Sequence, residues 1–227
     1  MSKITVAIDG PAAAGKSTVA KKIAEIKQFT YIDTGAMYRA FTLYCLRKGV
    51  DCQDEKACVS LIPEVKVVLK PGHVVILNGE DVSQEIRQTY VSQNVSYIAS
   101  YKDIRLALVQ LQRKMAEKGS VIMDGRDIGT YVLPNADVKI FQIASVETRA
   151  VRRYEENISK GIKCTLEEIE EDVRKRDYID SHREFAPLKA APDSILLDTS
   201  YMSVDQVVQT IIDIIDNKMK EKDNANG

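Results

Sequence analysis

Eight consecutive residues, Gly10-Pro11-Ala12-Ala13-Ala14-Gly15-Lys16-Ser17, fit the pattern GxxxxGK[ST], with Thr18 next in the chain. The glycines let the backbone curl until successive N–H groups converge, and such groups at a helix start bind phosphate. In that setting Lys16 is placed to reach β- and γ-phosphates, and Ser17 can offer its hydroxyl to the Mg²⁺ that accompanies ATP. The motif predicts ATP binding. Switches, motors and kinases share it, so the fate of the γ-phosphate must be read elsewhere.

Arginines supply that second reading. Arg39 closes Asp33-Thr34-Gly35-Ala36-Met37-Tyr38-Arg39, Arg126 sits in Asp124-Gly125-Arg126-Asp127, and Arg176 and Arg183 flank Asp180. Guanidinium groups are always charged and grip phosphate oxygens in pairs, so several converging on one place would hold an acceptor phosphate against repulsion from the donor. Phosphoryl transfer asks little more than positioning and charge neutralisation. A single helix arginine is more often a solvated ion-pair partner, the plain reading of Arg152, Arg174 and Lys175. Arg126 differs because an apolar strand and a glycine precede it. Asp33 and Asp124 also end strands, and each could order water around Mg²⁺ or cap a helix or turn. No Ser, Cys or His is set beside a base, so no covalent enzyme intermediate is expected.

The elements that must position these side chains are visible as alternating patterns. Short β-branched segments at Ile4 to Ile8, Phe29 to Ile32, Val121 to Met123, Val138 to Ile143 and Ile195 to Leu197 are separated by helical spacings. Val19, Ile23 and Ile26 make one helical stripe; Val204 to Ile215 make another, opened by the capping-box pair Ser203 and Gln206. This predicts an α/β fold with a three-layer core around a parallel five-stranded sheet. In such a sheet the strands' carboxyl ends face one crevice, which would bring Arg39 and Arg126 to the phosphate loop. Val65 to Leu69, Pro71-Gly72, Val74 to Leu77 and Asn78-Gly79 instead read as a small antiparallel sheet, roughly residues 60–85, outside that core. One helix through Val91, Val95, Ile98, Leu108, Leu111 and Met115 is the expected return path.

Composition excludes several classes. The chain of 227 residues is 44% hydrophobic and 29% charged, enough for a substantial core. Lys+Arg number 32 against 33 Asp+Glu, so no bulk field favours nucleic acid or an anionic membrane, and neither is expected as a partner. Cys45, Cys52, Cys58 and Cys164 are scattered without CxxC spacing, which argues against zinc and for reduced thiols. MSKITVAIDG turns polar too soon for a signal peptide, and no apolar run suits a membrane span. A cytoplasmic protein is expected, and nothing requires more than a monomer.

The motifs GPAAAGKST, YIDTGAMYR, DGRDIGT and RDYIDSHREFAPLKAAPDSILLDTS, with the hairpin insert among them, resemble those of bacterial-type cytidylate kinases in order and spacing. The resemblance runs from about Ile4 to about Ile215 and implies transfer of the γ-phosphoryl group of ATP to CMP or dCMP. It further implies that Arg39, Arg126 and Arg183 hold the CMP phosphate, that Arg176 and Asp180 contact the sugar, and that Ser96, Arg105 and Asp127 contact cytosine. A carboxylate at Asp127 suits that last role, because it can accept from the exocyclic amine of cytosine and would repel the uracil carbonyl. The implied layout has the P-loop core over 1–34 and 106–216, a monophosphate-binding region over 35–105, a lid at about 150–166, and a flexible tail over 217–227. The lid would run from Arg149, Arg152, Arg153 and Tyr154 to Lys160-Gly161-Ile162-Lys163; Arg153 is the expected catalytic arginine beside Lys16, Arg126 and Arg183, although spacing alone pairs Arg149 with either Arg152 or Arg153. A UMP-preferring or other small-metabolite kinase is the nearest alternative. A nucleotide switch or binding module would leave the arginines unexplained, and no NKxD is present.

Overall fold

Strand β1 (Thr5–Asp9) leads through the glycine-bounded turn into α1 (Lys16–Lys27), then β2 (Thr30–Asp33) and α2 (Thr34–Arg47). The computed structural model describes residues 3–159 and 161–225. After α3 (Glu55–Ser60) come three short strands, β3 (Val67–Lys70), β4 (Val74–Leu77) and β5 (Glu80–Asp81), then α4 (Thr89–Ser92), α5 (Val95–Ile98) and α6 (Lys102–Ala116). The chain finishes with β6 (Val121–Gly125), β7 (Val138–Ile143), α7 (Val146–Ser159), α8 (Leu166–His182), β8 (Ile195–Asp198) and α9 (Val204–Ala225).

The central sheet has the order β2-β6-β1-β7-β8, with every pairing parallel. Alternation along β1 separates its layers. Ile4, Val6 and Ile8 pack with Val19 and Ile23 of α1 and with Val207, Val208 and Ile211 of α9. Ala7 faces the other way, toward Val109 of α6, Met123 and Val132. Register then aligns the carboxyl ends: Asp33 lies opposite Asp124, and Asp9 opposite Gly125. The five expected strands are all present, their ends displaced by a residue or so.

Residues 34–116 carry a core of their own. Met37, Phe41 and Leu43 of α2 pack with Val75 and Leu77 of β4, and Cys45, Cys52 and Cys58 are buried there as small apolar side chains. The hairpin is antiparallel in the order β3-β4-β5, a strand richer than its two obvious segments suggest.

Two expectations are corrected. The return path is three helices, because the chain turns at Asn94 and leaves helical geometry at Tyr101 (ψ 119°). The break frees the Ala99 carbonyl, which Arg105 and Arg183 take up at 3.0 and 3.3 Å. The stretch expected to fray from residue 217 is helical through Ala225: Lys222 Nζ donates to Asp137 Oδ1 (2.6 Å) and to Lys3 O (2.8 Å), and Met219 packs on the core. Asn226 and Gly227 of that stretch, and Lys160 of the expected lid, lie outside the described residues. At the start of α9, Ser203 and Gln206 bond reciprocally, Ser203 N to Gln206 Oε1 and Gln206 N to Ser203 Oγ.

Candidate active site

The phosphate loop is fitted tightly against β7. A Cβ on Gly10, whose φ is 150°, would lie 2.0 Å from the Gln142 carbonyl oxygen, so only glycine lets the two backbones approach. Gln142 Nε2 also donates to Ala14 O at 2.5 Å. The turn ends where α1 begins at Lys16, aiming the helix N-terminus at the loop's concavity. Lys16 is buried, and its Nζ donates to Pro11 O at 2.7 Å. Burial first, then the nearby Arg126 charge, pushes the Lys16 ammonium well below its ordinary range.

Beside Lys16, Ser17 Oγ donates to Asp124 Oδ2 at 2.6 Å, and Tyr31 donates to Asp124 Oδ1 at 2.7 Å. Asp33 does the capping that its position allowed: Oδ1 accepts from Ala36 N at 2.7 Å, and the carboxylate faces Arg39 and Arg87, each at 3.5 Å. Burial works to raise the Asp33 pKa, but Arg39 and Arg87 outweigh it and hold the carboxyl below 3.8. Asp9 ties the next loop to β1 by accepting from Ile128 N and Gly129 N, both at 2.7 Å. The Asp124–Asp127 motif is thereby registered against the phosphate loop.

Across from the loop stands a wall of interlocked ions. Arg126 Nε donates to Asp180 Oδ2 (2.8 Å). Both oxygens of Asp127 are engaged, Oδ2 by Arg105 (2.5 Å) and Oδ1 by Arg183 (3.2 Å), with all three side chains buried. Tyr38 lies under the Arg105 guanidinium, 5.3 Å from ring centroid to carbon. Burial, then Arg126, pushes Arg176 down to about 10, and Arg176 Nε and Arg39 Nε are buried donors with no partner among the described residues. Cations crowded beyond the capacity of their carboxylates, with donors to spare, make a place for an anion.

The two walls enclose one cleft of 630 Å³. Lys16, Ser17 and Thr18 line it on one side, and Arg39, Arg126, Arg176 and Arg183 on the other. Ser96, Arg105, Asp127 and Asp180 border the same space, as do Ala13, Ala14 and Gly15. Gly10, Pro11 and Ala12 do not reach it and act through the shape of the turn. Arg152 and Arg153 of α7 border the cleft, whereas Arg149 is buried against the backbone of the loop. Sequence reasoning missed Arg87 and Gln142, which also border it. Arg87 follows the hairpin without a motif, and Gln142 sits in an apolar strand, so only topology brings either to the site.

The model of the cytidylate kinase family matches residues 6–217. The chain belongs to the cytidylate kinase family. It is 52% identical over 220 residues to the cytidylate kinase of Geobacillus kaustophilus, covering 96% of this chain and 98% of that protein. The corresponding protein of Anoxybacillus flavithermus is 50% identical over 221 residues, with coverages of 96% and 98%. A crystal structure of shikimate kinase from Bacteroides thetaiotaomicron shares the fold, with a TM-score of 0.50 at 12% identity, covering 95% of this chain and 99% of that one. That likeness reaches the α/β scaffold alone, so acceptor identity within this family must come from the wall opposite the loop.

Proposed function

We propose that this cytidylate kinase family member transfers the γ-phosphoryl group of Mg²⁺-ATP directly to CMP or dCMP, yielding ADP with CDP or dCDP. The observation that carries the reading is that the phosphate loop and the arginine wall face each other across a single cleft. ATP would lie with its β- and γ-phosphates on the loop amides and Lys16, whose ammonium an adjacent polyanion would restore to full charge. Arg39, Arg126 and Arg183 would hold the CMP phosphate, and Arg176 with Asp180 the sugar. A CMP phosphate oxygen attacks the γ-phosphorus as the bond to the β-bridging oxygen breaks. No general base is needed, because the acceptor is already ionised.

The hard oxygens of Ser17 and Asp124 suit Mg²⁺, which needs few protein ligands when phosphates and waters complete its shell. Ser17 would hold it and Asp124 would accept from its waters, while the ion draws charge off the phosphates. Arg152 and Arg153 belong to the segment we assign as a lid, whose closure would keep water from accepting the phosphoryl group. Of the two, Arg153 is assigned to the transferring phosphate: Arg152 donates to the backbone Thr199 O at 2.7 Å, whereas Arg153 pairs at 3.0 Å with the exposed Glu156 of its own helix, a screened contact that a phosphate would displace. The reading carries with it a cytoplasmic monomer acting on free nucleotides.

Base choice rests on Asp127, aided by Ser96 and Arg105. Its engaged oxygens retain lone pairs for the cytosine amine, and the two arginines fix its rotamer. Both variants delete the charge that faces two buried arginines, but Asp127→Asn keeps the side-chain volume and one acceptor oxygen where alanine keeps neither, so it is the cleaner probe. ADP release is measured with ATP and each of CMP, dCMP, UMP, AMP and GMP. The expected result is turnover chiefly with CMP and dCMP, and a loss of about 10- to 100-fold in kcat/KM for CMP in Asp127→Asn with little change for ATP. Preference for another acceptor in the parent enzyme would overturn the assignment.

A further inference from the structure

The third residue of the phosphate loop is gripped at both of its backbone polar groups. Ala12 N–H donates to Asp177 Oδ1 of α8 at 3.0 Å, and Ala12 C=O accepts from an Arg149 Nη of α7 at 2.9 Å. The same Arg149 nitrogen donates to Asp177 Oδ2 at 2.6 Å, and Arg149 Nε to Ala144 O at 2.9 Å. Arg149 is buried, so its charge is committed to this arrangement. Neither Arg149 nor Asp177 borders the cleft, although Arg152, Arg153 and Arg176, on the same two helices, do. Helices α7 and α8 pack along each other, so the grip links the loop to both.

We propose that Asp177 is a positioning residue, which with Arg149 fastens the donor phosphate loop to the α7–α8 pair and so transmits ATP binding to the arginines that close over it. The proposal rests on the reading of this cleft as an ATP site. A carboxylate on a loop amide carries any displacement of the loop into α8, and its guanidinium partner carries the same displacement into α7. The contact is made to the backbone, so the loop's shape is what is sensed, while the Ala12 side chain is itself buried.

The chain contains no tryptophan, so Tyr154→Trp on α7 places a single fluorescent reporter beside Arg153. Mg²⁺-ATP is titrated into this reporter protein with and without Asp177→Ala, and CMP is titrated separately. The expected outcome for Asp177→Ala is ATP binding weakened about ten-fold, and a fluorescence change at saturating ATP below about half that of the parent, with CMP affinity within about two-fold. A merely structural role would lower the melting temperature yet return the full signal at saturation. That full signal, or a parent reporter silent to ATP, overturns the proposal. Absence of CMP binding to the parent would sink the acceptor assignment while the ATP arms still decide this one. Should Asp177→Ala not fold, Asp177→Asn, which keeps an acceptor for Ala12 N–H but no charge for Arg149, is judged by the same criteria.

Discussion

Asp33 caps α2 through Ala36 N and balances the charges of Arg39 and Arg87 from a nearly buried position. Asp33→Asn keeps the capping oxygen and deletes the charge, leaving two guanidinium groups to repel each other. At about pH 7 this should cost about 1–3 kcal/mol. The folded carboxyl titrates below its ordinary value of 3.8, so its stabilisation exists above that value and fades as pH falls through the depressed one. Urea unfolding of both proteins should therefore show a gap that narrows below 3.8; a gap that widens in acid would contradict the ion-pair account. At this scale the sequence is most informative where geometry is local. Lys16 and Ser17 are legible because the loop's eight residues make their own cradle. Arg87 and Gln142 are not, because their partners lie far away in the chain.

Helices and hairpins differ in how openly they announce their ends. Asn78-Gly79 marks its turn because both residues adopt positive φ, 50° and 92°, as a tight hairpin of this hand demands. Gly79→Ala should cost about 1–2 kcal/mol from left-handed backbone alone. The turn lies apart from the cleft, so the melting temperature should fall while KM for ATP and CMP holds; a shifted KM would tie the hairpin to the site. The break between α5 and α6 carries no comparable mark. Periodicity from Val91 to Met115 reads as one helix, and what interrupts it is tertiary: Ala99 O bonds to Arg105 and Arg183 instead of to a later turn. Helical preference yields there to two buried charges that need an acceptor.

Over the whole chain, the parallel sheet is legible because its strands are buried on both faces and read as apolar runs, as Ile4 to Ile8 does. The end of α9 is misleading for the opposite reason. KMKEKDNANG is polar all round except for Met219, so its packing cannot be read from composition. Deleting residues beyond Asp216 should lower the melting temperature, by about 2–4 °C for each kcal/mol lost with Met219 and the Lys222–Asp137 pair; an unchanged transition would show that the segment contributes nothing. The charge balance of −1 also conceals an uneven distribution. The side chains bordering the cleft comprise ten basic and six acidic groups, so the remainder of the molecule is correspondingly acidic. A diffusing nucleotide therefore meets a funnel of attraction at the mouth and mild repulsion elsewhere. Its capture rate is governed by ionic strength through Debye screening, and the field that hastens arrival also slows the departure of two product diphosphates.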